Sequence, residues 1–403
     1  MFRLTQYLRE IENPTPLGTG ARPSGPVVIW NLLRRCNLAC RHCYSISADH
    51  DFPGELATPE IFAVMDDLKR SGAPVLILSG GEPLLHPDIF SIARRAKDMG
   101  FYVGLSTNGT LINEHNAGDI AAAGFDYVGV SLDGMRDTHD RFRRMPGGYD
   151  AALRGIRLVR DAGLKVGVRF TLTQDNAQDL PHLLELIERE RVFKFYMSHL
   201  NYAGRGNVNR ARDALHLTTR WAIDLLLRTA CDHLRRGLPT EFVTGNNDAD
   251  AIWLLRWAVK HHPGRVAHLR AKLGEWGGNS SGIGIANIDN LGNVHPDTMW
   301  WEYTIGNVRE RPFSELWNDV SDPLMRGLRQ RPRPVRGRCA QCRFLDVCNG
   351  NTRTRAWQLT GDPWAEDPAC YLTDEELGIA DASPRLVLTP YSRARRTAPE
   401  GSQ

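Results

Sequence analysis

Between Pro26 and about Asn201 the chain alternates short runs of β-branched and apolar residues with longer amphipathic stretches. The apolar runs cover residues 27–33, 74–79, 101–106, 127–132, 165–171 and 193–199, and their length and composition predict strands. The stretches at 59–70, 88–99, 113–123, 149–162 and 178–191 predict five helices. Thr58-Pro59-Glu60 supplies a cap with proline at the first helical position. Gly72, Gly100, Gly124 and Gly163 each stand where a helix should stop. Strands alternating with helices predict a parallel sheet joined by right-handed crossovers. Six strands fall short of the eight of a closed barrel. The expected fold class is therefore α/β, an open, partial (β/α)6 barrel of TIM-like build.

The pattern changes after Asn207. Residues 213–236 and 247–261 look helical and carry Trp221, Trp253 and Trp257. Residues 283–295 alternate through Asn290-Leu291-Gly292-Asn293 and read as a hairpin. The expected organisation is an irregular lead-in at 1–25, the partial barrel at 26–210, a helical connector at 211–280, a second domain at 281–375 and an extended tail at 376–403.

A chain of 403 residues has room for that division. Charged residues at 24% and hydrophobic residues at 42% are ordinary for a globular protein, and a formal net charge of +3 is too small to argue for nucleic acid. No run approaches the ~18 apolar residues of a membrane span, and the first residues lack a signal-peptide pattern. The expected location is the cytoplasm.

The cysteines change the picture. Seven of the eight fall in two groups, which in a reducing compartment points to metal chemistry before disulfides. Cys36, Cys40 and Cys43 stand at Cys-x3-Cys-x2-Cys spacing directly after the first strand. Soft thiolates suit zinc or iron–sulfur centres, and three of them leave one metal position open. A structural zinc completed by His42 or His50 is the alternative, although zinc motifs favour short Cys-x2-Cys pairs with a distant second pair. The second group is Cys339, Cys342 and Cys348 with a later Cys370, for which a zinc ribbon competes. Cys231 stands alone and reads as a buried, inert thiol.

Chemistry on parallel α/β sheets gathers at the carboxyl ends of the strands. Here every predicted strand delivers polar or glycine residues to that rim. The second ends in Ser79-Gly80-Gly81-Glu82-Pro83, the third in Ser106-Thr107-Asn108-Gly109 and the fourth in Ser131-Leu132-Asp133-Gly134. The fifth carries Arg169, and the sixth ends in Ser198-His199-Leu200-Asn201-Tyr202.

The cysteine triplet after strand one, together with Gly80-Gly81-Glu82-Pro83 after strand two, resembles the radical SAM superfamily. The resemblance implies that Cys36, Cys40 and Cys43 bind three irons of a [4Fe–4S] cluster, while S-adenosylmethionine (SAM) chelates the fourth. It implies reductive cleavage of SAM to a 5′-deoxyadenosyl radical that takes a hydrogen atom from a substrate. On the SAM side it places His42, Gly80, Gly81, Glu82 and Pro83, with Ser106, Asn108, Ser131, Asp133 and Arg169 on the same rim. Glu82 would accept from the SAM ammonium, and Arg169 would pair with its carboxylate. The second cysteine group resembles the SPASM or shorter twitch auxiliary domain. That implies one auxiliary [4Fe–4S] cluster on Cys339, Cys342, Cys348 and Cys370. Asp297 stands near the place where the full SPASM pattern has a further cysteine.

The stretch Phe195-Tyr196-Met197-Ser198-His199-Leu200-Asn201-Tyr202-Ala203-Gly204-Arg205-Gly206 narrows the resemblance to radical SAM enzymes of heme d1 biosynthesis and alternative heme synthesis. It implies removal of propionate side chains from 12,18-didecarboxysiroheme, a flat polycarboxylate anion and siroheme derivative. Arginines suit carboxylates, which makes Arg205 a substrate candidate, with Arg34, Arg35, Arg141, Arg143 and Arg144 around the motif loops. His199 and Tyr202 are candidate catalytic donors. A flavodoxin or ferredoxin is the implied electron donor. The alternatives are a related heme-synthesis decarboxylase, a SPASM-type peptide or protein maturase, and a non-catalytic iron–sulfur or zinc scaffold. A maturase would be expected to carry a peptide-docking domain before residue 25, where only the lead-in is read.

Overall fold

A computed structural model describes residues 1–18, 24–380, 386 and 388–391. The elements run α1 (Leu4–Glu12), β1 (Val27–Asn31), α2 (Thr58–Arg70), β2 (Val75–Ser79), α3 (Ile89–Asp98), β3 (Tyr102–Thr107), α4 (Ala117–Ala122) and β4 (Tyr127–Ser131). Next come α5 (Arg136–Arg143), α6 (Gly148–Asp161), β5 (Val166–Leu172), α7 (Leu180–Arg189), β6 (Lys194–His199), α8 (Gly204–Val208), α9 (His216–Arg235) and β7 (Glu241–Gly245). They continue with α10 (Ala249–His261), α11 (Val266–Trp276), β8 (Ile285–Ile288), β9 (Asn293–His295) and β10 (Gly306–Asn307). Short helices close the chain: α12 (Phe313–Asn318), α13 (Pro323–Arg329), α14 (Arg338–Gln341), α15 (Leu345–Cys348), α16 (Thr354–Thr360) and α17 (Asp374–Leu377).

The strands form one open sheet in the order β10-β9-β8-β1-β2-β3-β4-β5-β6-β7. Strands β1 to β7 pair in parallel, each with its successor, and helices cover them. Burial from both faces explains why these strands read as near-continuous Val, Ile and Leu. Val28, Trp30, Leu76, Leu78, Val128 and Val130 have no exposed surface. The six expected strands and five expected helices are all present, so the partial barrel stands as read.

The structure corrects the reading elsewhere. The lead-in is not irregular throughout: α1 buries Leu4, Leu8 and Ile11. Phe2 N donates to Thr244 O of β7 at 2.7 Å, which fixes the helix to the sheet. The connector at 211–280 is not purely helical, because β7 lies within it and extends the sheet past β6. Helix α5 is an addition, since its sequence RDTHDRFR has no apolar periodicity to announce it. The expected hairpin forms from β8 and β9, but β8 also pairs in parallel with β1, Val27 opposite Ile285. The second segment therefore begins inside the barrel sheet. Most of the expected tail lies outside the described residues, and among those described no helix is long and apolar enough to cross a membrane.

Candidate active site

A cavity of about 190 Å³ lies at the carboxyl ends of the barrel strands. Its walls include Cys36, Cys40 and Cys43 from the loop after β1, Gly80 and Gly81 after β2, Asn108 after β3 and Ser131 at the end of β4. Arg169 of β5 and His199 of β6 complete the ring.

The cysteine loop is held by its neighbours. Cys36 N donates to Ala48 O at 3.0 Å, and Arg41 N to Phe142 O at 3.1 Å. A Cβ on Gly81 would meet Arg35 O at 2.1 Å, and one on Gly80 would meet Leu33 O at 2.7 Å. Backbone therefore lies directly on backbone, and Gly81 N and Glu82 N donate across that contact at 2.7 and 2.8 Å. The other side is closed by α8. Gly204 has φ +52° and no room for a side chain, since a Cβ would come within 2.3 Å of Tyr44 O. Arg205 follows it, with Nε donating to Cys40 O at 2.7 Å and Nη1 to Ser47 O at 2.9 Å. The stretch 203–206 clamps the cysteine loop.

Glu82, Pro83, Asp133 and Tyr202 do not line the cavity, and of the arginines around the motif loops only Arg143 does, not Arg34, Arg35, Arg141 or Arg144. Glu82 is fully buried and accepts from Thr107 Oγ1 (2.6 Å), Asn108 N (2.7 Å) and Leu84 N (3.2 Å). Burial raises its pKa above the ordinary carboxylate value, although those donors oppose the shift. Pro83 turns the chain behind it. Asp133 is fully buried, with Oδ2 accepting from Arg143 Nε and Nη2 at 2.8 and 2.6 Å, and Oδ1 from Thr171 N at 2.7 Å. Burial opposes its charge, but Arg143 holds its carboxyl below the usual range. Both carboxylates are engaged in holding the rim together, and neither lines the cavity. Tyr202 is also turned away, its hydroxyl donating to buried Asp213 Oδ2 at 2.9 Å.

His42, Ser106, Asn108, Ser131, Arg169, His199 and Arg205 do face the cavity. Arg169 bonds Ser106 and stands over the Tyr196 ring, 5.7 Å from its centroid. Asn108 Nδ2 reaches Cys36 Sγ at 3.9 Å. His42 stacks on Phe142 at 4.7 Å, and burial pushes it down to about 4, so its imidazole is neutral. His199 Nε2 lies 2.9 Å from Asp250 Oδ2, whose other oxygen accepts from the Tyr371 hydroxyl at 2.9 Å. Arg205 Nη2 and His42 Nδ1 are buried with no hydrogen-bond partner among the described residues. Sequence reasoning misses Asp250 and the pairing of Arg143, joined to the site by contacts distant in sequence, and Tyr196, which lines the cavity itself.

The donor set fits an iron–sulfur centre. Burial pushes Cys36 up to about 12 and Cys40 to about 11. At Cys43 burial is outweighed by Arg205 and by bonds from Ser45 and Ser47, which hold the thiol below its ordinary value. Among the described residues no three His, Cys, Asp or Glu converge on a single-ion site. A cubane has a different requirement, because each thiolate takes its own iron.

A second, smaller pocket of about 20 Å³ is lined by Cys339, Cys342, Cys348 and Cys370 together. Cys339 and Cys348 belong to α14 and α15, and Cys370 N donates to Asp367 O at 3.2 Å. Asp367 is gripped by Arg355 at 2.8 and 2.7 Å. Gly278 lies against Cys348, where a Cβ would meet Cys348 O at 2.3 Å. Cys231 lines neither pocket and is half-buried rather than fully buried, with burial pushing its thiol up to about 11.

The Radical SAM superfamily model matches residues 30–187. SuiB of Streptococcus suis shares the fold with a TM-score of 0.66 at 16% identity, over 87% of this chain and 78% of that one. A chain described as native anSMEcpe with bound AdoMet does so at 0.65 and 16%, over 88% and 96%. With its thiol triplet on the rim of a partial barrel, the chain belongs to the radical SAM superfamily, enzymes built around a [4Fe–4S] cluster and SAM. Within that class its likeness runs the length of the heme-synthesis enzymes. It is 54% identical to pre-heme d1 synthase of Dinoroseobacter shibae over 97% of both chains. It is 45% identical to Fe-coproporphyrin III synthase of Methanosarcina barkeri, over 92% of this chain and 93% of that one.

Proposed function

We propose that this enzyme acts on a tetrapyrrole in heme d1 synthesis, removing propionate side chains from 12,18-didecarboxysiroheme. The observation that carries the reading is the 54% identity to pre-heme d1 synthase across 97% of both chains. Cys36, Cys40 and Cys43 would hold the [4Fe–4S] cluster, with the cavity-lining Gly80 and Gly81, Ser131 and Arg169 facing SAM. When bound, cluster and SAM supply a 5′-deoxyadenosyl radical that takes a hydrogen atom from the substrate side chain.

The chain's own groups bind and orient. Arg169 offers a guanidinium to a carboxylate, and Arg205, whose Nε and Nη1 hold the cysteine loop, lines the same cavity. His199 lines the cavity with Nε2–H committed to Asp250, which leaves Nδ1 as an acceptor for an N–H or O–H of the substrate. Cys339, Cys342, Cys348 and Cys370 are read as ligands of one auxiliary [4Fe–4S] cluster that accepts or relays an electron. A flavodoxin or ferredoxin in the cytoplasm would deliver the reducing electron. The 45% identity to Fe-coproporphyrin III synthase favours a second reading, side-chain removal from another siroheme relative.

The test is anaerobic incubation of reconstituted enzyme with SAM, a reductant and didecarboxysiroheme. The expected result is tetrapyrrole-stimulated 5′-deoxyadenosine and a product lighter by two propionate side chains. No stimulation by the tetrapyrrole overturns the substrate, and turnover of a different siroheme relative moves the assignment to the second reading. Alanine at Cys36, Cys40 and Cys43 abolishes SAM cleavage, whereas alanine at Cys339, Cys342 and Cys348 spares at least part of it.

A further inference from the structure

Arg143 is the last residue of α5, and its guanidinium is almost fully enclosed, at 8% side-chain exposure. Nε and Nη2 both bond Asp133 Oδ2, which leaves Nη1 to take a third partner, the Cys40 sulfur at 3.7 Å. The contact is fixed from both ends. Arg41 N bonds Phe142 O, tying the last turn of α5 to the cysteine loop, and Thr171 N pins Asp133 to β5. The other two sulfurs are treated differently. Cys36 receives neutral donors, Leu38 N at 3.4 Å and Asn108 Nδ2 at 3.9 Å, and Cys43 meets the Ser45 hydroxyl at 3.4 Å. Among the described residues, Cys40 alone of the three takes a hydrogen bond from a cation.

We propose that Arg143 and Asp133 are a potential-setting pair for the SAM-binding cluster, the cation easing reduction through the Cys40 sulfur and the carboxylate moderating it. This rests on Cys36, Cys40 and Cys43 being the cluster ligands. Reduction adds one electron from the donor protein, or from dithionite in vitro, and makes or breaks no bond. The centre becomes more negative by one charge. Hydrogen bonds to ligand sulfurs and nearby fixed charges govern that step, and they count for more where water is excluded. A cation at the sulfur favours the reduced state and raises the potential. A carboxylate sharing that cation works the other way. Two residues serving only to satisfy each other would have no such opposed effects.

The experiment is an anaerobic redox titration of the reconstituted full chain followed by EPR, with the relevant signal identified by its change when SAM is added. The variants are Arg143→Gln, Arg143→Lys and Asp133→Asn, each with its iron content measured. The expected result is a downward shift in potential for Arg143→Gln, a smaller one for Arg143→Lys and an upward shift for Asp133→Asn. If Arg143→Gln does not load iron, the opposed shifts of Arg143→Lys and Asp133→Asn decide. Shifts of the same sign, or none at wild-type iron content, overturn the proposal. A wild-type chain whose EPR signal ignores SAM overturns the cluster assignment instead.

Discussion

His199 Nε2 and Asp250 Oδ2 lie 2.9 Å apart, and Asp250 also accepts from the Tyr371 hydroxyl, the residue next to Cys370. One buried carboxylate thus joins a residue lining the larger cavity to the loop of the smaller thiol pocket. Asp250→Ala strips the partner from two buried groups, at about 1–3 kcal/mol for each. Tyr371→Phe removes one bond and costs about 1 kcal/mol. Anaerobic chemical denaturation measures both, and equal losses would rule out the carboxylate as the shared hub.

Arg355 and Asp367 form a two-point ion pair with no exposed surface on either side chain. Removing one charge leaves the other buried, so Asp367→Ala should destabilise by about 3–5 kcal/mol. Because Asp367 Oδ1 also accepts from Ala369 N at 3.1 Å, beside Cys370, any iron bound by the second cysteine group should fall as well. The double change Arg355→Met with Asp367→Leu should recover much of the stability but not the iron.

Gly204→Ala should disable the cysteine loop, because the new methyl meets backbone rather than a movable side chain. Gly361→Ala is the control. Its φ is +78°, yet nothing lies within 4 Å of the added atom, so it should cost only about 1–2 kcal/mol of backbone strain. Iron per chain and SAM cleavage, compared between the two variants, separate steric contact from strain.

Burial pushes His139 down to about 4 from an ordinary 6.5, so the folded chain holds it neutral. The unfolded chain binds a proton there first as the pH drops. Its contribution is therefore whole above pH 6.5 and is lost as pH falls toward 4, about 3 kcal/mol in all. Unfolding free energy measured from pH 7 to pH 4 should slope less in His139→Gln than in the wild type.

The barrel strands were legible because burial on both faces forces runs such as Val75-Leu76-Ile77-Leu78. The rim was legible because each run ends in a polar or glycine motif at the same end of the sheet. Helix α5 was hidden, since RDTHDRFR carries almost no apolar signal and forms through tertiary contacts. The roles of Glu82 and Asp133 were hidden for a related reason. Their partners Thr107, Asn108 and Thr171 lie 25, 26 and 38 residues away, and no local pattern marks a carboxylate as already engaged. Tyr202 sits in the quoted signature, yet only its position against Asp213 reveals that it faces inward.

Strand β1, which carries the cysteine loop, waits for its second neighbour until residue 285 has been made. Asn287 Nδ2 then bonds Asn31 Oδ1 at 2.7 Å across 256 residues. While the chain is emerging from the ribosome, the outer edge of β1 is bare and open to wrong pairing. The loop carrying Cys36, Cys40 and Cys43 thus gains its second supporting strand only late, and a fragment cut near residue 280 would expose that same edge.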